Sequence, residues 1–169
     1  MTHEGPSGSL AIMQIAIVVK DLRKTMELYH RTLGWGPWHV FEFFGPPVLH
    51  DTVTRDVPTS FTVHLASTQV GPLAVELLQP VDGPSIFQEW LDRHGEGVHH
   101  IGGTKVGSDA NALHNEFAEL GVHDLLTGGI GQNSRFFFLD SEPLLKFILE
   151  SGSGDGSDVS PTHIYPAPE

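Results

Sequence analysis

"GVHHIGGTKV", residues 97 to 106, decides how the rest of the chain is read. It is apolar, rich in glycine and β-branched residues, and ends before a polar turn, so it predicts a strand. Neighbouring strand residues point to opposite faces. Only one of His99 and His100 is therefore expected to look into any given cavity. Downstream, Ser108 can cap a helix on which Ala110, Leu113, Phe117 and Leu120 form one apolar stripe, and Gly121 can stop it. "VHDLLTGG", "SRFFFLD" and "LLKFILE" then predict three more strands. "GGIGQN" (128 to 133) lacks the Gly-Lys-Ser/Thr of a phosphate loop and reads as a hairpin connection. The unit is β-α-β-β-β.

The same order occurs upstream. "AIMQIAIVV" (11 to 19) predicts a strand, followed by a helix capped by Asp21, striped by Leu22, Met26, Tyr29 and Leu33, and stopped by Gly34. "WHVFEFF" (38 to 44), "SFTVHLAS" (60 to 67) and "LAVELLQ" (73 to 79) predict strands; "GPPVLHDTVTRDVP" (45 to 58) reads as a long loop. Gln14 precedes its helix stop by 20 residues and His100 precedes its own by 21, so the architecture repeats although the letters hardly do. Neither unit is large enough to bury a sheet alone, and the two must share a core. The chain divides into an N-terminal arm (1–9), a first βαβββ module (10–80), a helical connector (81–95) with Ile86, Phe87, Trp90 and Leu91 inward, a second module (96–150), and a Gly-, Ser- and Asp-rich tail (151–169) expected to be flexible and acidic.

A length of 169 residues suits one compact domain or two small modules. Twenty-one acidic residues against nine basic ones give a net charge of −12. Such a surface repels phosphate backbones and anionic lipid, so neither nucleic acid nor membrane is an expected partner. With no cysteine, disulfides, thiolate catalysis and iron–sulfur clusters are excluded. "MTHEGPSGSL" lacks the basic and apolar regions of a signal peptide, and no apolar run reaches the length of about 18 residues that a membrane span needs. A soluble, cytoplasmic protein is the expectation.

Polar residues inside apolar strands are costly unless paired or bound to metal. Four stand out: Gln14 in "IMQIAIVV", Glu76 in "LAVELLQ", His100, and Glu150 at the end of "LLKFILE". They fall on the first and last strand of each repeat, where pseudo-symmetry can bring them to one point. An imidazole, two carboxylates and an amide oxygen suit one divalent ion: zinc, nickel, cobalt, manganese or magnesium. Iron is disfavoured, because the usual iron(II) oxygenase set has two His and one carboxylate and Gln14 stands where the second His would be.

At these residues the chain resembles the vicinal oxygen chelate superfamily, which includes glyoxalase I, methylmalonyl-CoA epimerase, extradiol dioxygenases and the bleomycin-resistance proteins. "QIAIVVKDLRKTMELYHRTLGWGPW" resembles the family's opening strand and helix. "VELLQPVDGPSIFQEWLDRHGEGVHHIG" resembles epimerase-like members, and "FFFLDSEPLLKFILE" the closing hairpin. The resemblance implies an α+β fold in which two βαβββ modules curve into a mixed-sheet cup with flanking helices. It also implies metal ligation by Gln14, Glu76, His100 and Glu150, and a homodimer. The expected chemistry is that of a metal-dependent isomerase, epimerase or glyoxalase-like lyase, with proton abstraction beside a carbonyl and an enolate to stabilise. Glu150 is the leading candidate base, Glu76 can serve the opposite face, and His64 is the outside candidate. The small-molecule substrate is expected to be a fairly apolar or aromatic carbonyl compound or an acyl thioester, with Trp35, Trp38, Phe41, Phe43 and Phe44 available to line its pocket. Two other readings stay open: a metal-free drug-sequestering protein, and an iron-dependent extradiol-type dioxygenase.

Overall fold

The opening apolar run forms β1 (Leu10–Val18), and Asp21 then caps α1 (Leu22–Leu33), its side chain accepting a hydrogen bond from the Lys24 amide. Gly34 ends that helix in the left-handed conformation, as the glycine there predicts. The computed structural model describes residues 8–168; most of the expected N-terminal arm, residues 1–7, lies outside them. β2 (Trp38–Phe44), β3 (Leu49–Thr54), β4 (Val57–Pro58), β5 (Thr62–Val70) and β6 (Leu73–Asp82) complete the first half. α2 (Ile86–His94) connects to β7 (Gly97–Lys105), α3 (Ala110–Glu119), β8 (Asp124–Ile130), β9 (Ser134–Leu139), α4 (Glu142–Leu145), β10 (Ile148–Ser153) and β11 (His163–Tyr165).

The eleven strands of the described residues lie in one mixed sheet, in the order β11-β2-β5-β6-β1-β7-β10-β9-β8-β3-β4. Each half has its first strand parallel to its last: β1 beside β6, and β7 beside β10. The halves join through an antiparallel β1–β7 pair, so the two modules meet edge to edge within one chain. Their shared core joins Ala16, Val63 and Leu78 of the first half to Leu126, Phe138 and Ile148 of the second, with Phe87 of α2 packed in. α1 covers the outer face of the first half through Leu22 and Met26; α3 covers the second through Leu113. No helix among the described residues is long and apolar enough to cross a membrane.

Several local expectations give way. Residues 45–58 are not an irregular loop: β3 and β4 form a hairpin that adds to β8, across on the second module. Arg55 and Asp56 both have positive φ, which is the backbone a two-residue hairpin turn needs, and aspartate tolerates it well. Asp109, not Ser108, caps α3, through the Ala112 amide at 2.9 Å. "LLKFILE" is a strand only from Ile148, because Pro143 at the first turn starts a short helix over Glu142–Leu145.

The tail is not a free end. Its last described residues place β11 against β2, with Ile164 opposite His39. Thr162 is bound at both ends, its amide to the Val40 carbonyl and its hydroxyl to the Glu42 amide. Composition hid this, since three β-forming residues in a polar tail are enough to pair an open edge. Deleting residues 160–169 should lower stability by about 2 kcal/mol, given the half-buried Ile164 and Tyr165. Thermal unfolding would show this as a Tm lower by roughly 4–8 °C. An unchanged Tm would mean that β11 is not held in solution.

Candidate active site

Strand register brings the four polar residues together. In one row across the sheet Glu76 of β6 lies beside Ala16 of β1, and Ala16 beside His100 of β7. In the next row Gln14 of β1 lies beside Gly102 of β7, and Gly102 beside Glu150 of β10. The rows are related by the pseudo-two-fold between the modules, and each has a small residue in the middle. At Gly102 there is no room for more: a Cβ would stand 2.9 Å from the Gln14 Cβ and 3.3 Å from Glu150 Oε2. Gly102→Ala should therefore push Gln14 and Glu150 apart at a cost of about 1–3 kcal/mol. A crystal structure of the variant with both side chains unmoved would contradict this.

The irregularities of the β1–β7 ladder matter as much as its register. Met13 and His99 each fall where the pairing skips a residue, one place before Gln14 and His100 respectively. Such bulges re-aim side chains. At His99 the bulge keeps the two imidazoles in contact. Both rings are buried at 1% exposure, and their Nδ1 atoms are 2.8 Å apart. His99 does reach α2, with its ring 5.0 Å from that of Phe87 and 5.2 Å from that of Trp90, but it remains bonded to His100.

The Gln14 side-chain nitrogen stands at the centre of the group. It donates to Glu150 Oε2 at 2.8 Å and to Glu76 Oε2 at 3.0 Å, and lies 3.4 Å from His100 Nε2. His100 Nε2 is also 3.2 Å from Glu150 Oε2. Burial pushes both carboxyls up to about 8, with the neighbouring Glu150 charge adding to the effect at Glu76 and the Gln14 hydrogen bond opposing it at Glu150. Burial holds His100 down at about 3 and His99 at about 2, so both rings are neutral near pH 7.

This set suits a divalent cation. Two acids are forced together in a poorly solvated place with no lysine or arginine among their partners, and a neutral imidazole and an amide complete a nitrogen and oxygen donor set. Among the described residues no three His, Asp or Glu side chains are already spaced as a metal cage. The Gln14 side-chain nitrogen lies between the two carboxyl groups, and turning the amide alone would put its oxygen at the same point. The donor set fits a cation in its chemistry, and holding one requires the Gln14 side chain to draw back as well as turn, so that its oxygen faces the ion.

The four residues form part of the lining of a cavity of about 450 Å³. Its walls are aromatic and come from both modules: Phe41, Phe44 and Phe61 on one side, Phe136 and Phe138 on the other, with Phe87 between. Of the aromatic residues expected there, Phe41 and Phe44 line it. Trp38 and Trp35 pack instead under α1, and Phe43 is exposed. His64 is not part of the lining. Its neighbours Val63 and Leu65 are, and His64 turns the other way to accept the Phe43 amide at 3.1 Å. By the same alternation Ser67, opposite Glu76 in the ladder, lines the cavity; counting by twos along "FTVHLAS" would have found it. Gly154, Asp155, Gly156 and Val159 close one side, so the chain leaving β10 passes along the cavity on its way to β2.

Two βαβββ modules joined through their first strands, with a cavity lined by residues of both, define a cup-shaped class of α+β protein. A family model described as the Glyoxalase/Bleomycin resistance protein/Dioxygenase superfamily matches residues 13–138, and the chain belongs to that superfamily. Among solved structures it is similar to methylmalonyl-CoA epimerases. One from Mycobacterium tuberculosis is 20% identical, with a TM-score of 0.60 over 85% of this chain and 87% of that one. A Streptomyces coelicolor enzyme variant in complex with 2-nitronate-propionyl-CoA is 25% identical, with a TM-score of 0.61 over 89% and 97%. An epimerase in complex with methylmalonyl-CoA and NH4+ gives the same figures of 25%, 0.61, 89% and 97%. No curated protein sequence matches.

Proposed function

We propose that this chain is a divalent-metal-dependent isomerase or epimerase that moves a proton on a carbon next to a carbonyl. The observation that carries the reading is the convergence of Gln14, Glu76, His100 and Glu150 at one point on the floor of an apolar cavity. A cation held by these four would withdraw charge from a substrate oxygen and make the neighbouring C–H more acidic. Glu150, part of whose side chain reaches the cavity at 21% exposure, takes the proton. Glu76 stands across the pseudo-two-fold; in this direction it carries a proton at the start and gives it to the opposite face, which inverts the carbon and leaves Glu150 protonated and Glu76 a carboxylate. The phenylalanine walls keep bulk water away, so that the proton comes back from a carboxyl group and not from solvent.

The epimerases similar to this chain support the reaction class, and the apolar walls support a carbonyl compound with an apolar or aromatic body alongside an acyl thioester as substrate. The test uses the zinc- or cobalt-loaded protein in D2O with (R)-benzoin and with methylmalonyl-CoA, following deuterium incorporation and optical rotation. Cation-dependent exchange with loss of optical purity is the expected result. Tight binding with no exchange of either compound would contradict it, and would favour the second reading, a protein that sequesters apolar molecules, for which the aromatic lining alone speaks.

A further inference from the structure

We propose that His99 is a positioning residue: it accepts a hydrogen bond from His100 Nδ1–H and so holds His100 in the tautomer whose Nε2 lone pair faces the candidate cation site. This rests on the proposed metal site. It concerns a residue that touches neither substrate nor cation.

Three observations carry it. First, the Nδ1 atoms of the two rings are 2.8 Å apart, close enough that one must donate and the other accept. Second, a neutral imidazole has one proton. If His100 Nε2 gives its lone pair to a cation, that proton is on Nδ1, and His99 Nδ1 is the acceptor that meets it. Histidine ligands generally direct the second ring nitrogen to a carboxylate, a carbonyl or water. Here another imidazole takes that place. Third, the arrangement is built by the fold. The bulge at His99 keeps the two rings in contact, and Phe87, Trp90 and the ring of His100 surround the His99 ring at 5.0, 5.2 and 5.1 Å.

The tautomer has a consequence for His99 itself. Accepting at Nδ1 puts its own proton on Nε2, which faces the Ile86 backbone without a well-formed hydrogen bond. The Nδ1 lone pair is then directed at His100 alone, and a phenyl ring in the same aromatic niche would offer no acceptor there.

His99→Phe keeps a ring in the niche and removes the acceptor. His99→Asn offers an oxygen about where Nδ1 stands. Cobalt(II) affinity is measured by competition with a chromophoric chelator, together with the cobalt visible spectrum and the Tm of the metal-free protein. The expected result is a His99→Phe protein that remains folded, by the Tm of its metal-free form, and binds cobalt about 10–100-fold more weakly. His99→Asn should restore most of the affinity. In the zinc-loaded wild-type protein, nitrogen-15 NMR should find the His100 proton on Nδ1. Wild-type cobalt affinity in His99→Phe, failure of His99→Asn to improve on it, or a His100 proton on Nε2 would overturn the inference while leaving the metal site standing. A wild-type protein that binds no cobalt would overturn the proposed function, and this inference with it.

Discussion

If Glu150 is the proposed base, Glu150→Gln should lower the rate of C–H exchange for the enantiomer whose proton faces it by about 10²–10⁴-fold, the usual contribution of a positioned general base. The amide keeps an oxygen that can face the cation, and its size matches, so metal content should persist and be measured on the same sample. What it lacks is a basic site for a proton. The loss should fall on kcat with KM little changed, because the phenylalanine walls that hold the substrate body are untouched. Glu76→Gln should behave differently. If each carboxylate serves one face, this variant still exchanges the proton of one enantiomer and fails to invert it. A Glu150→Gln protein with full metal and more than about a third of wild-type activity would remove Glu150 from the role.

Cation binding should raise Tm most at alkaline pH and release protons. Without a cation, Glu76 and Glu150 are held protonated by burial, with pKa values raised from 4.5 to about 8. The sign follows from linkage: a carboxyl whose pKa is higher folded than unfolded adds stability in its neutral form. That stability is full below the unfolded value and is lost as pH rises through about 8. The metal-free protein should therefore become progressively less stable from about pH 4.5 to above pH 8 through these two groups. A divalent ion is held by a carboxylate rather than by a neutral carboxyl group, so binding near pH 7 displaces protons from this pair. At a free concentration about 1,000 times Kd the ion adds about 4 kcal/mol. For a chain of this size that is a Tm increase of roughly 8–16 °C. Calorimetry in two buffers of different ionisation enthalpy reads the proton count; no proton release at pH 7 would contradict the raised carboxyl pKa values.

Much of the architecture was legible because it rests on period and punctuation. The stripe from Leu22 to Met26, the stop at Gly34, and the matching spacing of Gln14 and His100 to their helix ends are local signals, and local signals survive folding. The convergence of Gln14, Glu76, His100 and Glu150 could be anticipated because a polar residue in an apolar strand needs a reason, and two-fold repetition supplied a common one. What the letters concealed depends on partners distant in sequence. The β3 hairpin crosses to β8, and β11 reaches β2, since open edges far along the chain were there to pair. The bulge at His99 is a property of two strands together and has no mark on either. It keeps the two rings in contact, while His100 alone lines the cavity and His99 turns toward α2, as strand alternation led one to expect. His64 was misplaced for a simpler reason: alternation along β5 puts Val63, Leu65 and Ser67 on the cavity side and leaves His64 on the other.

The most direct measurement is elemental analysis of protein purified without chelator and then dialysed against zinc, cobalt or nickel, alongside Gln14→Ala, Glu76→Ala, His100→Ala and Glu150→Ala. A single divalent ion per wild-type chain is expected, with a large loss of it in each variant that remains folded. Wild-type protein that stays empty at saturating metal, or an ion retained in full by all four variants, would contradict it.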